Sequence, residues 1–356
     1  MNARRIAPAF LACLIAACAV ETGDEGAGNE DAADGVVLGT AEQAVLSCPD
    51  WACGQNGPTL NNRFFHELSE TGAINAEGFA MSGLVKNSVV YTARVEGSKL
   101  YGIRAGSPTL TGATLAGAYF WVGDATGFLA KVYVTQVIQV PLWGGPLRNT
   151  AVEAYRLEWQ TPSDERRTNL CSNPPTYKPQ GLEQLNLPGE FTVLFEGNRY
   201  DAKAKKLLPA SRDWFNIGCA SHALSKLFLT GLTNVTGDAT EKEQQAALKM
   251  LTADYCGDGT SFTVGGEPLF WKTSNGYMPF HGTPSTLEAR WNENGATCID
   301  QPRLKTSKNP LAQQAFPDIR DAIRVHCPLS EPPPCSDLDP SSFDGQLVVS
   351  GNPINE

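Results

Sequence analysis

The cysteines are the residues of this sequence best placed to carry chemistry. Ten are present, and Cys18 stands at the end of an export leader, in which Arg4 and Arg5 precede an apolar run over residues 6–17. That run is shorter than the roughly 20 apolar residues that a membrane-spanning helix needs. Residues 1–17 are therefore predicted to be a signal peptide that is removed during export.

The residues around Cys18 predict a lipid anchor. Ile15-Ala16-Ala17-Cys18 resembles the bacterial lipobox, in which the cysteine is acylated and becomes the first residue of the mature protein. Several acyl chains hold a protein on a bilayer, since one chain gives only marginal attachment. Cys18 is thus the predicted lipidation site, and a membrane is the predicted partner. The alternative is an ordinary secretory leader with a chance cysteine, which would make the protein secreted.

An acidic segment follows the predicted anchor. Residues 19–46 contain seven acids and neither Lys nor Arg, and they are rich in Gly and Ala. Such a segment cannot bury enough apolar surface to offset the entropy of ordering, so residues 18–46 are predicted to form a flexible tether. The residue after Cys18 is Ala19, whereas an aspartate at this position would resemble an inner-membrane retention signal. We therefore expect a cell-envelope protein on the outer membrane of a Gram-negative bacterium rather than on the inner membrane.

The charge of the chain argues against nucleic acid as a partner. The formal net charge is −10, and much of the excess of acids falls in the tether, so the remaining chain is mildly acidic. It has no basic stripe of the kind that neutralises a phosphate backbone.

Eight cysteines remain after the leader and the predicted anchor are set aside. An exported chain meets an oxidising compartment, so we predict four disulfides, whose pairing the spacing does not determine. Zinc is the competing use, but the sequence has no C-x-x-C pair and its four histidines are scattered. No metal and no other cofactor is predicted. The eight residues are Cys48, Cys53, Cys171, Cys219, Cys256, Cys298, Cys327 and Cys335.

The apolar pattern changes along the chain. Alternating apolar residues over 89–95, 132–140 and 155–159 predict antiparallel strands, so residues 47–165 are predicted to be β-rich. The five prolines of residues 161–189 predict a boundary loop.

Helical spacing appears in the second half of the sequence. Ile217 to Phe228 fits one amphipathic helix, and Thr240 with Glu243 fits the capping box that begins a second, with Cys256 at its end. Glycine turns and short apolar runs after this point predict β-hairpins, one of them around Gly265. The predicted fold class is therefore α+β, a β-rich region followed by a disulfide-linked domain with two helices and hairpins.

The Pro-rich tail, residues 331–356, is expected to pack loosely except at Cys335.

A family resemblance enters at residues 247–263, which contain the tetrad Ala253-Asp254-Tyr255-Cys256. With Trp214-Phe-Asn-Ile-Gly-Cys219 upstream, this run resembles the bacterial ADYC domain family, and residues 190–330 are predicted to be the ADYC-like domain. The family is functionally uncharacterised, so the resemblance implies a domain and frequent export, but no activity.

The tetrad is interpreted as a fold element. A bridge from Cys256 to Cys219 would clamp the two predicted helices together. Tyr255 is expected to be a core aromatic whose hydroxyl finds a partner, and Asp254 is expected to accept hydrogen bonds from the turn over residues 257–260.

Two kinds of function remain open at this stage. The favoured one is a structural or binding module of unknown ligand, with Trp51, Trp143 and Trp291 as possible exposed residues. The alternative is a cysteine-dependent hydrolase, in which Cys219 at a helix start is activated by a histidine. The candidate bases are His222, His281 and His326. Calcium binding near Asp254 and Asp258 is less favoured than either of these functions. Neither that stretch nor the one around Asn292 has the ligand spacing of a calcium loop.

Overall fold

A large antiparallel sheet forms the centre of the structure. The computed structural model describes residues 57–171, 187–220, 222–264, 269–273, 286–305, 318–327, 331–337 and 348–352. The described part is mostly β-sheet, with three α-helices and three disulfides. The predicted leader, the tether, Cys18, Cys48, Cys53, Trp51 and His281 lie outside the described residues.

Ten strands make up the large sheet, and four more form two-stranded ribbons. These strands are β1 (Thr59–Leu60), β2 (Arg63–Phe64), β3 (Glu67–Ser69), β4 (Phe79–Lys86), β5 (Val89–Glu96), β6 (Lys99–Ile103), β7 (Tyr119–Asp124), β8 (Leu129–Pro141), β9 (Ala151–Gln160), β10 (Thr168–Asn169), β11 (Phe191–Phe195), β12 (Arg199–Asp201), β13 (Lys206–Leu208) and β14 (Trp214–Cys219). The large sheet has the order β3-β14-β11-β9-β8-β7-β4-β5-β6, with β10 paired to β9. The ribbons are β1 with β2 and β12 with β13.

The sheet curls and separates two hydrophobic cores. All five residues of β11 are buried: Leu194 joins the strand-side core, made by β4–β9, while Val193 and Phe195 join the helix-side core. The Leu100 amide of β6 donates to the Tyr155 hydroxyl of β9 at 2.8 Å, which brings the far end of the sheet back over its middle. A mainly apolar strand such as β11 is what burial on both faces requires, and its one hydroxyl, that of Thr192, donates to the Tyr155 carbonyl at 3.0 Å.

A β-bulge lets one strand serve both cores. The register of β8 against β9 shifts between Val134 and Gln136. Before the shift, Val132 and Val134 face the strand-side core; after it, Val140, of the same parity, faces the helix-side core. An extra residue reverses which side chains point to each face. The alternating apolar residues predicted over 132–140 therefore do not all lie on one face of the sheet.

Three α-helices and a second sheet build the other side of the helix-side core. The helices are α1 (Ala223–Leu229), α2 (Glu241–Thr252) and α3 (Ile319–His326). The second sheet has the order β15-β18-β16-β17, from β15 (Phe270–Thr273), β16 (Thr286–Asn292), β17 (Gly295–Ile299) and β18 (Val348–Asn352). Phe228 of α1 stacks on Phe195 with ring centroids 4.8 Å apart. None of the helices described is long and apolar enough to cross a membrane.

The boundary predicted at residues 161–189 does not separate two folded domains. β11 and β14, which follow it, pair with β9 and β3, which precede it. The strands on both sides therefore belong to one continuous sheet.

The first half of the helix predicted from Ile217 to Phe228 is wrong. Ile217 and Cys219 lie in β14, and the helix begins only at Ala223. Apolar residues of a buried strand and of the helix that follows it happen to share a helical spacing, which periodicity alone does not resolve. The capping box of α2 is confirmed, since the Glu243 amide donates to the Thr240 hydroxyl at 3.2 Å and the Thr240 amide to the Glu243 carboxylate at 2.9 Å.

The expectation of a loosely packed tail is wrong for Val348–Asn352. These residues form β18, which lies between β15 and β16 in the second sheet. The Trp291 indole of β16 donates to the Ser350 hydroxyl at 2.8 Å inside the core. The hairpin expected around Gly265 is also wrong. Residues 261–264 form no strand, and β15, the expected second strand, pairs with β18 instead.

We predict that the tail strand is required for stability. Val348→Thr keeps the side-chain shape but buries a hydroxyl at a fully buried position, and should lower the free energy of unfolding by about 1–3 kcal/mol. Val349→Thr, at the neighbouring half-buried position, is the matched control and should have a much smaller effect. Urea denaturation of both variants measures the difference, and equal midpoints would contradict the assignment.

Candidate functional site

The tetrad begins with the residue that ends helix α2. Ala253 has φ 50° and ψ 41°, the left-handed conformation in which glycine is the usual helix cap. It is fully buried, so a small side chain is required there. The helix thus ends at Thr252, four residues before the predicted end at Cys256.

Asp254 forms a fully buried ion pair. Its Oδ2 lies 2.5 Å from Lys249 Nζ, and the side chains are 0% and 1% exposed. Lys249 Nζ also donates to the carbonyls of Gly257, at 2.9 Å, and Ala204, at 3.2 Å, so all three of its protons have acceptors. Burial raises the pKa of Asp254 above its usual range, although the neighbouring Lys249 opposes the shift.

The expected contact of Asp254 with the following turn is confirmed. The Gly259 amide donates to Asp254 Oδ2 at 2.9 Å. The pair therefore joins the end of α2, the turn after it and the β12–β13 turn that contains Ala204.

Tyr255 is the core aromatic expected from the sequence. Its hydroxyl donates to Glu288 Oε1 at 2.6 Å, and its ring stacks on Trp291 with centroids 5.1 Å apart. Arg303 Nε lies 2.7 Å from the same Glu288 oxygen, and Arg303 also donates to the Met250 carbonyl near the end of α2. Burial raises the pKa of Tyr255 strongly, so its hydroxyl remains a proton donor.

Six cysteines are paired in three disulfides, and the proposed bridge from Cys219 to Cys256 is wrong. Because Cys219 ends β14 rather than beginning a helix, its side chain meets the end of the β10 segment instead of α2. Cα atoms are 5.6, 5.7 and 4.8 Å apart in the three pairs, which are Cys171–Cys219, Cys256–Cys327 and Cys298–Cys335.

The residues considered for cysteine hydrolysis that the structure describes do not form a nucleophile with its base. The Cys219 sulfur is bonded to Cys171 and is completely buried, so it is not a thiolate. His326 lies elsewhere, with Nε2 2.9 Å from Asp258 Oδ2 and 2.7 Å from Thr260 Oγ1.

One cluster of the described residues has the ligand types of a metal site. The side chains of Cys256, Asp258 and His326 have ligand atoms within 4.8 Å of one another. The Cys256 sulfur, however, is bonded to Cys327. A disulfide sulfur is not the thiolate that binds a metal ion, so the cluster lacks its strongest ligand.

Two of the three tryptophans considered as exposed binding residues are core residues. Trp143 and Trp291 are both 0% exposed, and Trp51 lies outside the described residues. Sequence alone does not distinguish the two settings, because tryptophan is common in cores and at binding surfaces.

A surface that the sequence reasoning missed lies on the outer side of β7 and β8. Tyr119 pairs with Tyr133 across the two strands, and Trp121 pairs with Lys131. Their neighbours Phe120 and Val132 are buried, so the half-buried aromatic side chains lie on the opposite face. We call Tyr119, Trp121, Lys131, Tyr133 and Arg167 the aromatic face. The signal that could have found it is the aromatic run Tyr119-Phe120-Trp121, together with Lys131 and Tyr133 at the non-apolar positions of the predicted strand over residues 132–140 and its start.

Two cations lie against the rings of the aromatic face. Lys131 Nζ is 5.1 Å from the ring centre of Tyr119 and 5.0 Å from that of Trp121. Arg167 Cζ is 4.0 Å from the ring centre of Tyr133. Cations are attracted to the negative faces of aromatic rings, so these contacts hold the side chains in place.

The fold and the tetrad together define a disulfide-linked, mostly antiparallel β domain with a buried ionic centre. The model of the ADYC domain family matches residues 112–305, over half of the chain. The chain therefore belongs to the ADYC domain family. The match begins before the predicted start at residue 190 and includes β7–β9. No curated protein and no solved structure matches the chain.

We predict that breaking the Lys249–Asp254 pair is more damaging than removing it. Lys249→Met leaves a buried carboxylate without its cation and should cost about 3–5 kcal/mol of unfolding free energy. Adding Asp254→Asn to Lys249→Met removes the unpaired charge and should recover part of that loss. Chemical denaturation of both variants measures this.

The matched control for the buried pair is an exposed one. Arg166→Met breaks the surface pair with Asp164 and should leave the denaturation midpoint unchanged. A double variant less stable than Lys249→Met alone would contradict the electrostatic account.

A second prediction concerns His222, which precedes α1. Burial, assisted by the nearby charges of His66, Lys205 and Lys226, lowers the pKa of His222 from 6.5 to about 3. The unfolded chain therefore takes up a proton below pH 6.5 that the folded chain resists. The contribution of His222 to stability is complete above about pH 6.5 and is lost as the pH falls towards 3. Stability of His222→Gln should fall less steeply over this interval than that of the wild type. Identical slopes in urea titrations would refute the assignment.

Proposed function

We propose that this protein is an exported, lipid-anchored component of a bacterial cell envelope, and that its folded part is a binding module rather than an enzyme. The observation that carries the proposal is the pairing of all six cysteines that the structure describes. Paired thiols persist in oxidising compartments and are rare in the cytosol.

The leader supplies the route to such a compartment. Arg4, Arg5 and the apolar run over residues 6–17 have the charge and length of a signal peptide, and Cys18 is placed for acylation. The acidic residues 19–46 then separate the folded part from the bilayer. The residue after the acylated cysteine, Ala19, favours the outer membrane over the inner one.

A binding role is favoured over catalysis by two features of the described residues. The Cys219 sulfur, the nucleophile of the hydrolase hypothesis, is held in a buried disulfide. By contrast, the aromatic face lies on a rigid sheet, with rings that the core does not cover. Rigid aromatic side chains at a surface are typical of recognition sites, because they supply contact area with little loss of entropy.

Mass spectrometry of the mature protein tests the anchor and the disulfides together. We expect an N-terminal peptide that begins with acylated Cys18, and, after digestion without reductant, the three linked peptide pairs named above. Cys18→Ser should release the chain from the membrane fraction. Cys13→Ser, within the leader that is removed, is the matched control and should leave fractionation unchanged. An uncleaved chain with reduced thiols in the cytosol would overturn the proposal.

A further inference from the structure

The aromatic face presents three neighbouring aromatic rings on the outer side of β7 and β8. Tyr119 contacts Trp121 edge-on, with centroids 5.7 Å apart and ring planes at 85°, and it contacts Tyr133 with centroids 5.2 Å apart and ring planes at 48°. The three rings therefore form one continuous but uneven patch. The strands beneath the patch are fixed by the buried Phe120 and Val132 on their other side. Sugar rings present polarised C–H groups that pack on the negative faces of aromatic rings. The aromatic face is therefore suited to an oligosaccharide.

The positive charge of the aromatic face favours an acidic ligand. Among the described residues, neither Lys131 nor Arg167 forms an ion pair with a carboxylate, whereas Arg156, on the adjacent β9, pairs with Glu158 at 2.9 Å. Two cations thus lie on one surface in a chain whose net charge is −10. Their positive potential is available to a bound anion, and it is strengthened where the ligand excludes water.

Polar groups at the edge of the patch match the hydroxyls of a sugar. Gln160 lies directly across from Lys131 in the neighbouring strand, and its side-chain oxygen accepts a hydrogen bond from Arg167 Nε at 3.4 Å. Glu158 lies across from Tyr133 in the same way. A few polar groups around an apolar floor are what orients a small ligand.

Other polyanions fit this surface less well. Nucleic acids and anionic membranes are bound by larger clusters of Lys and Arg, because each phosphate contact is weak and salt-sensitive. The aromatic face offers two unpaired cations, which suits the lower charge density of a polysaccharide whose acid groups are carboxylates.

We propose that the aromatic face binds an acidic oligosaccharide, whose sugar rings stack on Tyr119, Trp121 and Tyr133 while its carboxylates pair with Lys131 and Arg167. This inference rests on the binding role proposed above and names the class of its ligand.

Calorimetric titration of the purified full chain tests the proposal with matched probes. The acidic probes are oligogalacturonate, oligoalginate and hyaluronate oligosaccharides, and the neutral probe is methyl-esterified oligogalacturonate, which keeps the ring and lacks the charge. We expect at least one acidic probe to bind, more weakly as salt is added, and the ester to bind about tenfold more weakly than the free acid, a difference of about 1.4 kcal/mol.

Two substitutions separate the contributions of ring and charge. Trp121→Ala should weaken binding about tenfold or more, and Lys131→Gln should remove the preference for the acid over its ester. Tyr101→Ala and Lys99→Gln, on strand β6 and outside the aromatic face, are the matched controls and should bind as the wild type does. Thermal melts of all four variants establish that each one is folded.

Several outcomes overturn the inference. These are the absence of binding to all three acidic probes at millimolar concentration, equal affinity for acid and ester, and binding of single-stranded DNA or anionic vesicles in place of the sugars. If the probes fail while the mature chain is acylated and oxidised, the ligand class is wrong and the proposed function stands. If the chain is instead cytosolic and reduced, the proposed function fails whatever the probes show.

Discussion

The centre of the family domain depends on two buried carboxylates that must be paired with buried cations. Asp254 and Glu288 are both fully buried, and an unpaired charge in such a position would cost several kcal/mol. Lys249 comes from the last turn of α2 and Arg303 from the segment after β17. The end of a helix, the turn after it, strand β16 and the segment after β17 are consequently fixed together by the need to satisfy these charges.

Two disulfides link the surroundings of the ionic centre to segments that its ion pairs do not hold. Cys256–Cys327 ties the tetrad to the end of α3, and Cys298–Cys335 ties β17 to the segment that leads towards β18. Closing loops of this length restricts the unfolded chain, which is worth roughly 3–4 kcal/mol for each loop in the chain-entropy model. Covalent links of this kind persist in oxidising compartments, so the proposed export would preserve this contribution to stability.

The bulge in β8 connects the architecture to the candidate binding surface. Residues before it place their apolar side chains in the strand-side core, and Val140 after it faces the helix-side core. The first half of the strand therefore keeps a half-buried outer face, on which Lys131 and Tyr133 lie. One inserted residue thus produces both a strand buried among helices and a partly open aromatic platform.

The sequence by itself determined the features that depend on neighbouring residues: the capping box of α2, the contact of Asp254 with its turn, the tetrad and the strand patterns. Only the tertiary structure decided which cysteines pair, that Trp143 and Trp291 are core residues, and that Val348–Asn352 is an inner strand. Periodicity reports which side of an element is apolar, but not what lies against it. Pairing and exposure arise between residues tens of positions apart, and no local pattern specifies their distance.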